Sequence, residues 1–122
     1  MDKKARLARL QEECAAYFNE LYAPDQKVYV FGDGDPQARV MLVGEAPGAQ
    51  EALLGKPFVG KAGKNLDEFL ERTQLKRAEL YITNTVKFRP VKISDKGRAS
   101  NRTPTREEIG LFLPWLQREI DL

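Results

Sequence analysis

A single carboxylate set between glycines, Gly44-Glu45-Ala46-Pro47-Gly48, follows directly on the apolar run Val40-Met41-Leu42-Val43. A carboxylate so placed can activate a water molecule or stabilise a positive charge developing beside it; the bland alternative is a solvated acid on an ordinary turn. A second glycine-rich stretch, Gly55-Lys56-Pro57-Phe58-Val59-Gly60-Lys61-Ala62-Gly63, is built around one aromatic. Phe58 is either a stacking platform for a planar ligand or a core ring. Asn84 offers both a donor and an acceptor, which suits the polar edge of a pyrimidine, or else it caps a local turn. Glycine at this density lets backbone approach a ligand closely. The segment is not a nucleotide P-loop, because the spacing from Gly48 is wrong and Pro57 replaces the required Ser or Thr.

Between residues 87 and 103, the cations Lys87, Arg89, Lys92, Lys96, Arg98 and Arg102 face the single acid Asp95. Such a run either contacts phosphates, one salt-dependent contact per cation, or is a solvated surface loop. The net charge of +2 over 122 residues is too small to name a partner. The chain has no histidine and one cysteine, Cys14. That removes the commonest general base, any internal disulfide and any CxxC metal site.

These residues need elements to position them. Leu7, Leu10, Cys14, Phe18 and Leu21 recur at helical spacing, predicting an amphipathic helix from about Lys3 to Tyr22 that Pro24-Asp25 ends. Cys14 lies on its apolar stripe, which favours packing over reactivity. Val28-Tyr29-Val30-Phe31 reads as a short strand, and Gly32-Asp33-Gly34-Asp35-Pro36 as a turn. Arg39 to Val43 reads as a strand covered on both faces. Ala62, Leu66, Phe69 and Leu70 predict a helix of about three turns from near Gly63. Leu80-Tyr81-Ile82-Thr83 is the next strand. Strand, helix and strand form a βαβ unit with parallel strands, so Glu45 and Asn84 reach one crevice at the same sheet edge. The last helix starts near Thr103-Pro104-Thr105, where Thr105 and Glu108 can form a capping box. Its apolar face is Ile109, Phe112, Leu113, Leu116 and Ile120, with Pro114 expected to kink it or limit its hydrogen bonding near Gly110.

The ordered set of motifs resembles the uracil-DNA glycosylase superfamily, most closely its family 4 type. It comprises Gly44-Glu45-Ala46-Pro47-Gly48 with Glu51, Gly55 to Gly63, Tyr81-Ile82-Thr83-Asn84 with Lys87, Arg89 and Pro90, and Asn101-Arg102-Thr103-Pro104. The turn at Gly32 to Pro36 also fits, and the match runs from about Val28 to the end of the chain. The resemblance implies an α/β fold, a three-layer α/β/α sandwich with a parallel sheet. Residues 1–122 would be the N-terminal portion of that one domain, leaving the sheet incomplete. It implies flipping of uracil out of DNA and hydrolysis of its N-glycosidic bond. By the same resemblance, Glu45 handles the water and favours the oxocarbenium-like sugar. Gly44, Ala46, Pro47, Gly48 and Glu51 contact substrate, Phe58 stacks on uracil, and Asn84 reads its polar edge. Lys87, Arg89 and Arg102 contact DNA phosphates.

The chain departs from the family pattern in three places. Family 4 proteins usually hold a 4Fe-4S cluster on four cysteines, whereas Phe88 stands in Lys87-Phe88-Arg89-Pro90 and the later cysteine position falls near Phe112. Aromatic packing is expected to replace the cluster, so no cofactor and no metal are expected. The family's His-Pro motif has no counterpart here, and losing a donor to the leaving base typically costs about two to three orders of magnitude in rate. Ala52 stands where an acid commonly follows Glu51. Two other readings stay open: a non-catalytic relative that binds nucleic acid or a pyrimidine, and a nucleotide-binding module using the glycine loop as an anion nest. An incomplete sheet predicts self-association through its edge or the last helix. The charged N-terminus and the lack of a long apolar run predict a cytoplasmic protein without membrane contact.

Overall fold

The computed structural model describes residues 2–25 and 27–122. The apolar spacing of the N-terminal segment folds as α1 (Lys3–Leu21), its first turn capped by Asp2, whose side chain accepts from the Ala5 N–H at 2.7 Å. Leu10, Cys14 and Phe18 form its buried stripe. Then come β1 (Asp33–Gly34), β2 (Met41–Gly44), α2 (Ala49–Leu54) and α3 (Lys61–Thr73). A short 3-10 turn (Arg77–Glu79) leads into β3 (Tyr81–Asn84), followed by β4 (Val91–Ile93), β5 (Ala99–Asn101) and α4 (Arg106–Ile120).

The central sheet has the order β1-β3-β2. β2 and β3 run parallel with Gly44 opposite Asn84, so the expected βαβ unit forms. β1 adds an antiparallel strand, which makes the sheet mixed rather than wholly parallel. Every residue of β3 is buried. Ile82 packs with Leu66, Leu70 and Leu80 on the α3 side, whereas Tyr81 and Thr83 reach Glu119 of α4 on the other. Helices therefore cover both faces of the central strand, giving three layers. On the α1–α4 side, Phe18 and Phe112 stack at 4.0 Å between centroids, and Cys14, Val86 and Phe88 complete that core.

Several elements differ from the sequence expectation. Val28–Phe31 contributes an isolated bridge, Tyr29 to Phe88, instead of a strand. The presumed turn contains β1, where Gly34 adopts φ 111° and the Leu80 carbonyl fills the space a Cβ would need. β2 is not covered on both faces: β3 is its one neighbour among the described residues, and Val43 is 44% exposed. α2 was not expected. The basic loop contains an antiparallel hairpin, β4 and β5, turning through Gly97 at φ 78°. The Thr105–Glu108 capping box forms as expected, and α4 runs through Pro114 to Ile120. No helix among the described residues is long and apolar enough to cross a membrane.

Candidate functional site

The parallel register brings the carboxyl ends of β2 and β3 together, and Gly44 O accepts from Thr85 N–H at 2.9 Å. Asn84 is 4% exposed. Its main-chain carbonyl accepts from Lys87 Nζ at 2.5 Å, while its carboxamide makes no hydrogen bond among the described residues. Its amide atoms are not among the buried unpartnered ones and so reach solvent at the end of β3, where they are available to a ligand. A Cβ at Gly44 would overlap Asn84 Oδ1 and lie 2.7 Å from Phe58 Cζ. Glycine at this position lets the asparagine amide and the phenyl edge converge over the end of β2. The sequence assigned Gly44, Asn84 and Phe58 to one pocket, and they meet.

Glu45 is the next residue after Gly44 and is exposed, its carbonyl accepting from Val86 N–H at 3.0 Å. The rest of its loop turns inward. Ala46 packs on the aromatic core and Pro47 is buried, so their side chains hold the loop. Gly48 caps α2, and a Cβ there would come 2.9 Å from Glu51 Oε1 and 3.3 Å from Asn101 Nδ2.

Glu51, expected as a substrate contact, is held here by backbone. Its carboxylate is 8% exposed as a residue and is occupied by backbone: Oε1 accepts from Gly48 N–H at 2.9 Å, and Oε2 from Val59 at 3.0 Å and Gly60 at 2.6 Å. Burial opposes its charge, but the N–H groups of Gly60, Val59 and Gly48 outweigh it and hold the carboxyl below the ordinary glutamate range. Glu51 is the clasp that joins the two glycine-rich loops. Phe58, between them, has φ 55° and is half-buried.

Two of the three residues expected to contact phosphates, Lys87 and Arg102, are engaged by protein partners. Lys87 is 3% exposed, and its ammonium donates to Glu119 Oε1 at 2.6 Å, Thr83 Oγ1 at 2.8 Å and the Asn84 carbonyl. All three of its protons are used inside the fold. Arg102 forms a fork with Glu108, at 2.6 and 2.9 Å, and donates through Nε to Val91 O at 2.9 Å. The Arg102 guanidinium, its largest influence, pulls the Glu108 carboxyl down to about 2. Arg89 bonds Asn101 Oδ1 through Nε at 2.7 Å, leaving its terminal nitrogens without a protein acceptor among the described residues. Lys92, Lys96 and Arg98 are exposed on the hairpin.

Two residues at the site escaped the sequence reading. Arg77 donates to the carbonyls of Phe58 and Pro57 at 3.0 and 2.6 Å; no periodicity marks it. Glu119 anchors Lys87 and accepts from the Tyr81 hydroxyl. Its signal was present: with Phe112 and Leu116, it falls at spacings of four and three on the apolar stripe of α4. Burial, then Glu119, raises the Tyr81 pKa. A cavity of about 200 Å³ near Tyr81 and Glu119 lies at the opposite end of the sheet, beside Pro36 and Met41.

An iron–sulfur cluster does not fit these residues. Phe88 and Phe112, at the positions the resemblance gives to cysteines, are buried with their rings 5.7 Å apart, and Tyr22 meets Phe88 edge-on at 5.5 Å. Cys14 is the one thiol in the sequence. Burial pushes it up to about 12, away from the thiolate that iron requires.

Residues 31–122 match the family model described as the uracil DNA glycosylase superfamily. The chain is 45% identical over 97 residues to the Type-4 uracil-DNA glycosylase of Pyrobaculum aerophilum, covering 80% of this chain and 45% of that protein. It is 44% identical over 93 residues to the Type-4 enzyme of Archaeoglobus fulgidus, covering 76% and 43%. It is 30% identical to the Type-5 uracil-DNA glycosylase of Thermus thermophilus, covering 75% and 44%. The chain spans about half the length of the curated relatives it matches.

Proposed function

Because the chain belongs to the uracil DNA glycosylase superfamily, we propose that it carries the base-recognition portion of a DNA-repair enzyme that excises uracil. The observation that carries this reading is the unpartnered carboxamide of buried Asn84, set against the Phe58 edge at Gly44. A uracil flipped from DNA stacks on Phe58 while Asn84 donates to one carbonyl oxygen and accepts from the N3–H. That double contact discriminates uracil from cytosine, whose corresponding edge offers an amino group and an unprotonated nitrogen.

Hydrolysis breaks the bond between sugar C1′ and uracil N1, and its electron pair leaves on the base. The oxygen of a water held by Glu45 bonds to C1′, and one of its protons passes to the carboxylate. Exposure of Glu45 beside the pocket supports this role. Arg89, Lys92, Lys96 and Arg98 take the phosphate contacts. Asn101, which neighbours Gly48, brings the β4–β5 hairpin to the rim of the pocket. The same reading makes uracil-containing DNA the partner, the cytoplasm the setting, and the open edge of β2 a place for self-association.

A second reading is recognition without cleavage by these 122 residues, which offer no histidine of their own to the leaving base. Single-turnover incubation with a uracil-containing oligonucleotide and its cytosine counterpart separates the two. Excision slower than a Type-4 relative by about two to three orders of magnitude fits the lost donor; uracil-selective binding with no abasic product favours the second reading. Equal binding of the two oligonucleotides, unchanged by Asn84→Ala, would defeat both.

A further inference from the structure

We infer that Arg77 is a positioning residue that sets the Phe58 ring for base stacking, acting through the carbonyls on either side of the Pro57–Phe58 bond. The inference rests on the uracil-pocket reading above and deepens it. Phe58 occupies the left-handed region at φ 55°, which bulky side chains rarely enter and which persists where surrounding structure enforces it. The enforcement is visible on both sides. Arg77 Nη1 donates to Phe58 O at 3.0 Å and Nη2 to Pro57 O at 2.6 Å. Glu51 Oε2 receives the next two N–H groups, from Val59 and Gly60. Gly63, buried in the first turn of α3, leaves room for the Phe58 carbonyl that a Cβ would overlap.

Fixing these peptide planes sets the direction of the Phe58 Cα–Cβ bond, and packing against the Leu66, Leu70, Leu80 and Ile82 cluster holds the ring from there. Phe58 is half-buried, and a Cβ at Gly44 would lie 2.7 Å from its ring edge, so the ring that packs on the core also faces the end of β2. The two carbonyls are engaged by a planar fork, a geometry that a lysine ammonium does not reproduce. Arg77 also sits in the 3-10 turn that feeds β3, so the wall carrying Phe58 is tied to the strand carrying Asn84.

The test measures binding of the 122-residue chain to matched single-stranded oligonucleotides containing one uracil or one cytosine. Arg77→Met is expected to lower the uracil preference about tenfold, the scale of one lost base–aromatic stack, with cytosine binding, which does not use the pocket, unchanged. In a Phe58→Ala background, Arg77→Met should add less than about twofold, because the ring it positions is gone. Arg77→Lys covers the case in which the methionine variant does not fold, and should lose most of the preference while keeping the charge. Additive losses from Phe58→Ala and Arg77→Met, or a full preference retained in folded Arg77→Lys, would overturn the role. A wild-type chain without uracil preference would overturn the pocket itself. An intact preference that Arg77 variants do not disturb would overturn only the positioning role.

Discussion

Lys87 Nζ lies 2.6 Å from Glu119 Oε1, and both side chains are almost fully buried. The pair joins the segment after β3 to the last helix, and the same ammonium holds the Asn84 carbonyl. Attraction inside a protein offsets the desolvation of two charges only while both partners are present. Lys87→Met should therefore cost about 3–5 kcal/mol by leaving Glu119 charged and unpaired. Lys87→Met combined with Glu119→Leu should recover most of that loss. Urea denaturation of the two single variants and the double variant measures the coupling. Equal losses in all three would deny that the charges depend on one another.

Acid stability should follow from two carboxylates held low. Glu108 is drawn to about 2 by the Arg102 fork, and Glu51 lies below the ordinary range through its backbone N–H partners. Each has a folded pKa beneath its unfolded value, so its contribution is fully present above about pH 4.5 and is lost as pH falls through the folded pKa. For Glu108 the loss should be on the order of 2 kcal/mol between pH 4.5 and pH 2. Denaturation midpoints across that window should fall steeply in the wild type and less so in Glu108→Gln. Parallel slopes would show that the fork adds no acid-linked stability.

The sequence made the frame legible wherever periodicity and punctuation agreed. The apolar stripes of α1 and α3, the β-formers of β3 and the Thr105–Glu108 box all marked their elements. Gly44, Phe58 and Asn84 were legible as a group because a βαβ unit must bring its strand ends together. Direction of the side chains was less legible. Lys87 lies among cations in sequence, yet the alternation of its neighbours Val86 and Phe88 carries it into the core to meet Glu119. Glu51 reads as a pocket acid, but three nearby N–H groups capture it. The exposure of β2 was hidden because an apolar run reads alike at a sheet centre and at an edge.

Gly44→Ala should abolish uracil preference while leaving a folded chain. The added methyl would overlap Asn84 Oδ1 and press on the Phe58 ring edge, and β2 tolerates alanine in its ladder. The uracil-to-cytosine affinity ratio should fall by about tenfold or more, the value of a lost stack and amide contact. Far-ultraviolet circular dichroism checks the fold. Retained preference would mean that the ligand does not approach this side of Asn84.

The open edge of β2 should make the chain self-associate. Val40 and Val43 are 42% and 44% exposed, and Phe69 of α3 is 46% exposed beside a groove that Leu42, Val43 and Phe58 also line. A flat apolar edge invites pairing with another strand, and an inserted lysine blocks it. Light scattering should show a concentration-dependent rise in mass for the wild type and a monomer for Val43→Lys. A wild-type monomer across the full concentration range would remove this prediction.

The hairpin should govern salt dependence without governing base choice. Lys92, Lys96 and Arg98 are exposed, whereas Lys87 and Arg102 are committed to Glu119 and Glu108. Each phosphate contact contributes a slope of about 0.7 in log affinity against log salt for a single strand and about 0.9 for a duplex. Replacing all three hairpin cations with alanine should thus flatten the slope by about 2–3 and weaken uracil and cytosine oligonucleotides equally. Titrations at several salt concentrations test both statements. A slope that is unchanged in the triple variant but reduced by Arg89→Ala would move the phosphate path from the hairpin to the segment leading into it, because Arg89 keeps its outer guanidinium nitrogens without a protein acceptor among the described residues.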